Sequence, residues 1–192
     1  MLKNTKKLAL NFKILRFFLI PTIFLSTPFF NTFEDAKAGL EFQWNQDSGF
    51  RRLKWFQKEG KRISKNTIYF FLRPIDRKTE LIKINLAIPK TFKSTLKKEN
   101  INLCKVKIGG FESRTKCLED IPADFEITTD DSSLRSLNIY PYSPIPSNKE
   151  SYAIVFKVIN PKRSGLYQFH SFGQFKGKSV SSYLGSWTVR IN

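Results

Sequence analysis

From Ile68 onward the chain is built of short runs in which apolar and polar side chains alternate, and this period of two constrains the fold more than any other feature. In LIKINLAI, Leu81–Ile88, residues Ile82, Ile84, Leu86 and Ile88 fall on one face and Lys83 and Asn85 on the other. That is the pattern of a half-buried strand, and Pro89 ends it. TIYFFLR, residues 67–73, is β-branched and aromatic on both faces and is followed by the turn-forming PIDRK. The two segments are therefore expected to form a hairpin. INLCKVKI, residues 101–108, places Cys104, Val106 and Ile108 opposite Lys105 and Lys107, which turns Cys104 inward, and Gly109-Gly110 permits the next reversal.

ADFEIT and LRSLNIY, residues 123–128 and 134–140, are two further short strands around the turn formers TDDSS. SYAIVFKVIN, residues 151–160, is apolar on both faces apart from Lys157, as expected of a central strand covered on both sides. GLYQFHSFGQF sends Tyr167 and Phe169 one way and Gln168 and His170 the other. YLGSWTVRI points Tyr183, Trp187, Val189 and Ile191 to one face and Ser186, Thr188 and Arg190 to the opposite one. Short strands at a spacing of roughly ten residues, with no long helical period, predict an all-β fold, an antiparallel β-sandwich of immunoglobulin-like type. Helix is expected only as a turn or two, in SGFRRLKWFQKEGKR and TFKSTLKKEN.

The N-terminus carries a different signal. Lys3, Lys6, Lys7, Lys13 and Arg16 precede the apolar run FFLIPTIFLSTPFF, and Ala36 and Ala38 frame a small-x-small site. This is the order of a secretory signal peptide, residues 1–38. The run falls short of the ~20 residues that span a bilayer and is broken by Pro21 and Pro28, although an uncleaved anchor is the alternative. Residues 39–192 then form one β-sandwich domain, with 39–66 as a basic, aromatic lead-in and 67–192 as the core. An exported chain meets an oxidising compartment, so Cys104 and Cys117, its only cysteines, are expected to pair as a disulfide.

The chain has 33 basic and 16 acidic residues, a net charge of +17, and removal of residues 1–38 leaves +13. Such a charge favours encounter with polyanions. Compositional bias toward lysine, asparagine, isoleucine and phenylalanine is the alternative origin. FRRLKWFQKEGKRISK, residues 50–65, is the best binding candidate. Arg51, Arg52, Lys54, Lys58, Lys61, Arg62 and Lys65 are placed to contact anions, while Trp55 and Phe56 either stack on a ligand or join the core. The lone histidine, His170, lacks the G-x-S-x-G context of a hydrolase, so it is read as part of a strand. Glu119, Asp120, Asp124, Glu126, Asp130 and Asp131 contain enough carboxylates for glycoside hydrolysis, but such residues ordinarily sit in solvated turns. No metal-ligand cluster, phosphate-binding glycine loop or RNA-recognition signature is present. No metal or cofactor is expected.

LEFQW near Leu40, RRLKWFQ, NTIYFFLRP, LCKVKIGGFESRTKCLEDIPA, NPKRSGLYQF and YLGSWTVRI together resemble the cyanobacterial domain-of-unknown-function family 2808, a set of exported proteins. Its most specific marks are the NP-x-x-x-G-x-Y turn and the terminal G-x-W, carried by Asn160, Pro161, Gly165, Tyr167, Gly185 and Trp187. The resemblance implies a structural role for these residues, a cell-envelope, periplasmic or secreted location and no described chemistry. The reading is an exported, non-enzymatic envelope protein that meets acidic polysaccharide or an anionic membrane surface, with no nucleic acid as partner. Its alternatives are an envelope hydrolase using the acidic cluster and a purely structural protein-interaction module.

Overall fold

A computed structural model describes residues 49–110, 113–130 and 133–192. The signal segment with Ala36 and Ala38, the LEFQW stretch and Asp131 lie outside them. Among the described residues the alternating runs form ten strands: β1 (Trp55–Gln57), β2 (Lys65–Leu72), β3 (Leu81–Ile88), β4 (Ile101–Lys107), β5 (Lys116–Asp120), β6 (Ala123–Thr129), β7 (Arg135–Pro141), β8 (Tyr152–Ile159), β9 (Gly165–Phe175) and β10 (Ser182–Ile191). They make two five-stranded antiparallel sheets, ordered β1-β2-β8-β4-β5 and β10-β9-β3-β7-β6. The two inner faces share one apolar cluster, so the fold is the expected antiparallel β-sandwich.

Alternation decides what each strand contributes. Ile68, Phe70 and Leu72 of β2 and Ile154, Phe156 and Val158 of β8 point inward, meeting Ile84 and Leu86 of β3, Phe169 of β9 and Trp187 of β10. Phe70 lies at the centre, its ring 5.0 Å from Phe156, 4.9 Å from Phe169 and 5.1 Å from Trp187. Tilted and edge-on pairs of this kind add about 0.5–1.5 kcal/mol each beyond their buried area. The Trp187 indole N–H donates to the Phe71 carbonyl of the opposite sheet at 3.3 Å, so its polar atom is also satisfied. The doubly apolar β8 sits in the middle of its sheet, as its composition requires.

Four local expectations are corrected. β2 and β3 do not form a hairpin; they belong to opposite sheets. The PIDRK segment is a 3-10 turn, Pro74–Asp76, rather than a hairpin turn. The buried Asp76 carboxylate accepts the Arg73 backbone N–H at 2.9 Å and the Arg73 guanidinium at 3.0 and 3.1 Å, and this corner carries the chain across the core. Cys104 is buried on the outer face of its sheet, because Ile101 and Leu103 take the inner face of β4. There it joins Tyr69, Phe71, Ala153, Val155 and Val106 in a second cluster, and it is disulfide-bonded to Cys117 of β5. Each frame of INLCKVKI carries an apolar pair, Ile101 with Leu103 and Cys104 with Val106, so the lysines at 105 and 107 do not mark the outer face of the whole strand.

In β10 a bulge between Tyr183 and Gly185 reverses the alternation, placing Leu184 in the core beside Trp187 and Tyr183 outside with Ser186. Finally, residues 49–62 yield strand β1 instead of helix, because Trp55, Phe56 and Gln57 complete the edge of β2.

The bulge also makes the seam between the sheets. Leu53 N–H donates to the Ser186 carbonyl, and Ser186 N–H donates to the Arg51 carbonyl, both at 2.8 Å. The approach requires glycine at 185: an added Cβ would lie 2.6 Å from Arg51 O and 2.7 Å from Leu53 Cγ, at a φ of +143°. Gly185→Ala is therefore expected to destabilise the fold by about 2–4 kcal/mol, combining backbone strain with overpacking. Urea unfolding should show a lowered midpoint at unchanged slope; a midpoint equal to that of the parent chain would contradict this packing.

Candidate functional site

Strand alternation disperses the basic run instead of gathering it. The Arg51 guanidinium is held 3.2 Å from Asp76 and also reaches the Ile75 carbonyl, so it braces the corner. Arg52 and Trp55 enter a groove over the outer side of β9 and β10, with Gln168, Thr188 and Arg190. Phe56 points the other way and packs on Tyr69, with ring centroids 6.0 Å apart. Lys54, Lys61 and Arg62 are exposed and line neither this groove nor the cleft described next. Only Lys58 and Lys65 of the run come together.

They do so in a cleft of about 530 Å³ formed on β2, β8 and residues 89–100. Register explains the gathering. Lys65 pairs with Ile159 and Thr67 with Lys157, which puts Lys65 and Lys157 on the same outer face of adjacent strands. Lys58 N–H donates to the Thr67 carbonyl at 3.1 Å, fixing Lys58 beside them. Lys97 comes from the opposite rim, with Thr95 and Asn100. That rim is anchored: Phe92 is fully buried, and Ser94 Oγ donates to the Ile159 carbonyl at 2.7 Å.

The Arg135 guanidinium donates to the Ser94 carbonyl at 2.8 Å and to the Phe92 carbonyl, and its burial lowers its pKa. The cleft is thus lined by four lysines together with Ile159, Thr67 and Thr95, and none of its lining residues is acidic. Lys97 and Lys157 were not singled out as ligand-binding residues by sequence reasoning. The signal for Lys157 was its place as the polar break in an otherwise apolar strand.

The motif residues surround this site as supports. Asn160 Nδ2 donates to the carbonyls of Glu59 at 3.1 Å and Lys61 at 2.7 Å, while Asn160 Oδ1 accepts from Asn66 Nδ2 at 3.0 Å. This buried amide pair ties the β1–β2 connection to the β8–β9 turn. Pro161 is buried, and Gly165 has a φ of +153°. The Tyr167 hydroxyl donates to the Arg163 carbonyl at 2.5 Å, closing the turn in the manner of a tyrosine corner. With Gly185 at the seam and Trp187 in the core, all six residues are placed in the architecture.

His170 Nδ1 lies 2.7 Å from Ser186 Oγ, which is 2.6 Å from the Tyr183 hydroxyl. Ser186 is wholly buried, so this hydroxyl is sealed away from any substrate. The carboxylates are likewise engaged. Asp120 accepts from Asn102 at 2.5 Å, and Glu126 lies 3.4 Å from both Asn138 Nδ2 and the Tyr140 hydroxyl. Asp124 accepts from the Tyr142 hydroxyl at 3.0 Å, and this bond together with the carboxylate charge raises the tyrosine pKa. Asp130 closes its turn by accepting from Leu134 N–H at 2.7 Å. Glu119 and Asp120 lie on β5 and Asp124 and Glu126 on β6, which are edge strands of different sheets. Among the described residues, no group of three or more His, Cys, Asp or Glu is arranged to hold a metal ion, and no helix is long and apolar enough to cross a membrane.

The family described as "Protein of unknown function (DUF2808)" matches residues 44–191, and the chain belongs to that family. No curated protein matches it. Among solved structures, the chain is similar to the bacterial hydrophobin BslA, with 10% identity over 74% of this chain and 95% of that one, at a TM-score of 0.44. It is also similar to the collagen-binding domain of a Staphylococcus aureus adhesin (14% identity, 72% and 96% covered, TM-score 0.37). A third is ACE19, the collagen-binding subdomain of the Enterococcus faecalis surface protein ACE (9% identity, 73% and 97% covered, TM-score 0.41). Similarity at this level transfers neither ligand nor activity.

Proposed function

We propose that this member of the DUF2808 family is an exported, non-catalytic envelope module that binds an acidic polysaccharide through the cleft of Lys58, Lys65, Lys97 and Lys157. The observation that carries the reading is the convergence of these four cations from three chain segments on a concave site with no acidic lining residue. The exposed Ile159 side chain suits the C–H face of a sugar ring, and the lysines around it suit carboxylates or sulfates at the ring's edge. Concavity favours a chain-like ligand over a flat surface. Export is supported by the signal-like N-terminus and by the Cys104–Cys117 bond, and it removes nucleic acid from the ordinary surroundings. The cleft lining lacks the carboxylate pair that glycoside hydrolysis uses, so the reading of this cleft is one of binding.

Titration with polygalacturonate should show binding that weakens steadily between low and high salt, with no binding to a neutral glucan. The double variant Lys65→Gln/Lys157→Gln should lose about tenfold or more in affinity, at roughly 1 kcal/mol per charge, while keeping its unfolding midpoint. Salt-independent binding, or binding unchanged in the variant, would exclude this site. Export has its own check. Peptide mass spectrometry without reduction, on separated cell fractions, should find a mature start at Gly39 and a linked Cys104–Cys117 peptide outside the cytoplasm. A Met1 chain with free thiols inside the cell would contradict it.

A further inference from the structure

We propose that the β1–β2 connection is a membrane-contact tip whose Ile63 side chain enters the surface of an anionic lipid bilayer. This inference stands apart from the polysaccharide cleft and uses residues that do not line it. Ile63 is 64% exposed, and its backbone has a φ of +58°. A β-branched residue in the left-handed region is strained, and glycine or asparagine would occupy the position at lower cost.

The strain is not left to relax. Arg62 N–H donates to the Asn192 carbonyl at 3.1 Å, Asn192 N–H to the Gly60 carbonyl at 2.7 Å, and Asn160 N–H to the Ser64 carbonyl at 2.9 Å. With Asn160 Nδ2 on the Lys61 carbonyl at 2.7 Å, the loop is braced on both sides of Ile63. The fold thus holds an aliphatic side chain out in water, in a costly conformation, where it contributes little to the core. A role outside the fold accounts for both observations.

The surroundings select the occupant. Lys61 and Arg62 precede Ile63, and the Asn160 amide brings the β8–β9 turn alongside with exposed Lys162 and Arg163. Leu166, just beyond that turn, is 69% exposed. Glu59, the one carboxylate of the connection, is turned onto the Lys61 N–H at 2.8 Å, and an aliphatic point flanked by four basic side chains matches the interface of an anionic bilayer, where lysine and arginine meet headgroups and the apolar group passes below them. A soluble polyanion would reward the charges and leave Ile63 without a function.

The test uses the protein as isolated from its cells, with Ile63→Gly and Ile63→Asn, and vesicles of phosphatidylcholine with or without phosphatidylglycerol. Both variants should keep the unfolding midpoint or raise it by up to about 4 °C, because the strain is relieved. Both should partition about tenfold or more weakly onto the anionic vesicles, as expected for losing a buried isoleucine. Ile63→Cys carrying an environment-sensitive fluorophore reads the tip itself, whatever the N-terminal segment does. Its emission should shift to the blue on anionic vesicles and stay unchanged on zwitterionic ones.

Polygalacturonate binding should be unaffected in Ile63→Gly and Ile63→Asn, whereas the Lys65→Gln/Lys157→Gln protein should lose it, so the two readings fail separately. A label that does not shift on anionic vesicles, or a lowered midpoint in both variants, would overturn the proposal.

Discussion

The contact of Phe70 with Phe156, Phe169 and Trp187 is the constraint on which the rest of the structure depends. Four rings from both sheets set how the sheets face each other, and therefore which side of every strand is outside. Once Phe70 and Phe156 point inward, alternation forces Lys65 and Lys157 outward on neighbouring strands. Phe92 closes the same aromatic cluster at 5.0 Å from Phe169, and it carries the loop that brings Lys97 to the opposite rim. The lysine cleft is thus a consequence of how the core packs.

Charge follows the same geometry. The edge strands β5 and β6 carry Glu119, Asp120, Asp124 and Glu126 together with Lys116, the β1–β2 connection combines Lys61 and Arg62 with Glu59, and the cleft lining holds lysine without any acidic residue. Supports around the basic sites are mostly neutral, through Asn66, Asn160 and Ser94. Uncharged supports add no carboxylate to the cleft lining.

Much of this fold was legible in the sequence because a period of two survives in nearly every strand. The failures occurred where the period was ambiguous or interrupted. INLCKVKI carries an apolar pair in each frame, so the lysine pattern points Cys104 to the inner face while Ile101 and Leu103 in fact occupy it. The Gly185 bulge added a residue to β10 and exchanged the places of Tyr183 and Leu184. The hairpin expected between β2 and β3 failed because Asp76 and Arg73 build a corner, a tertiary feature that local turn chemistry does not announce. The site was only half legible. Lys58 and Lys65 lay in the chosen segment, but Arg51 is engaged with Asp76, and Lys97 and Lys157 join only through register between distant strands. Asn160 makes hydrogen bonds to the β1–β2 connection and Tyr167 makes one within its turn, and Gly185 and Trp187 lie at the seam and in the core.

The most direct measurement is a backbone NMR titration of the isotope-labelled protein with polygalacturonate oligomers. The account predicts shift changes concentrated at Lys58, Lys65, Thr67, Thr95, Lys97 and Lys157 and fading as salt is raised. Changes centred on Asp124 and Glu126 at the acidic edge, or none at all under low salt, would contradict it.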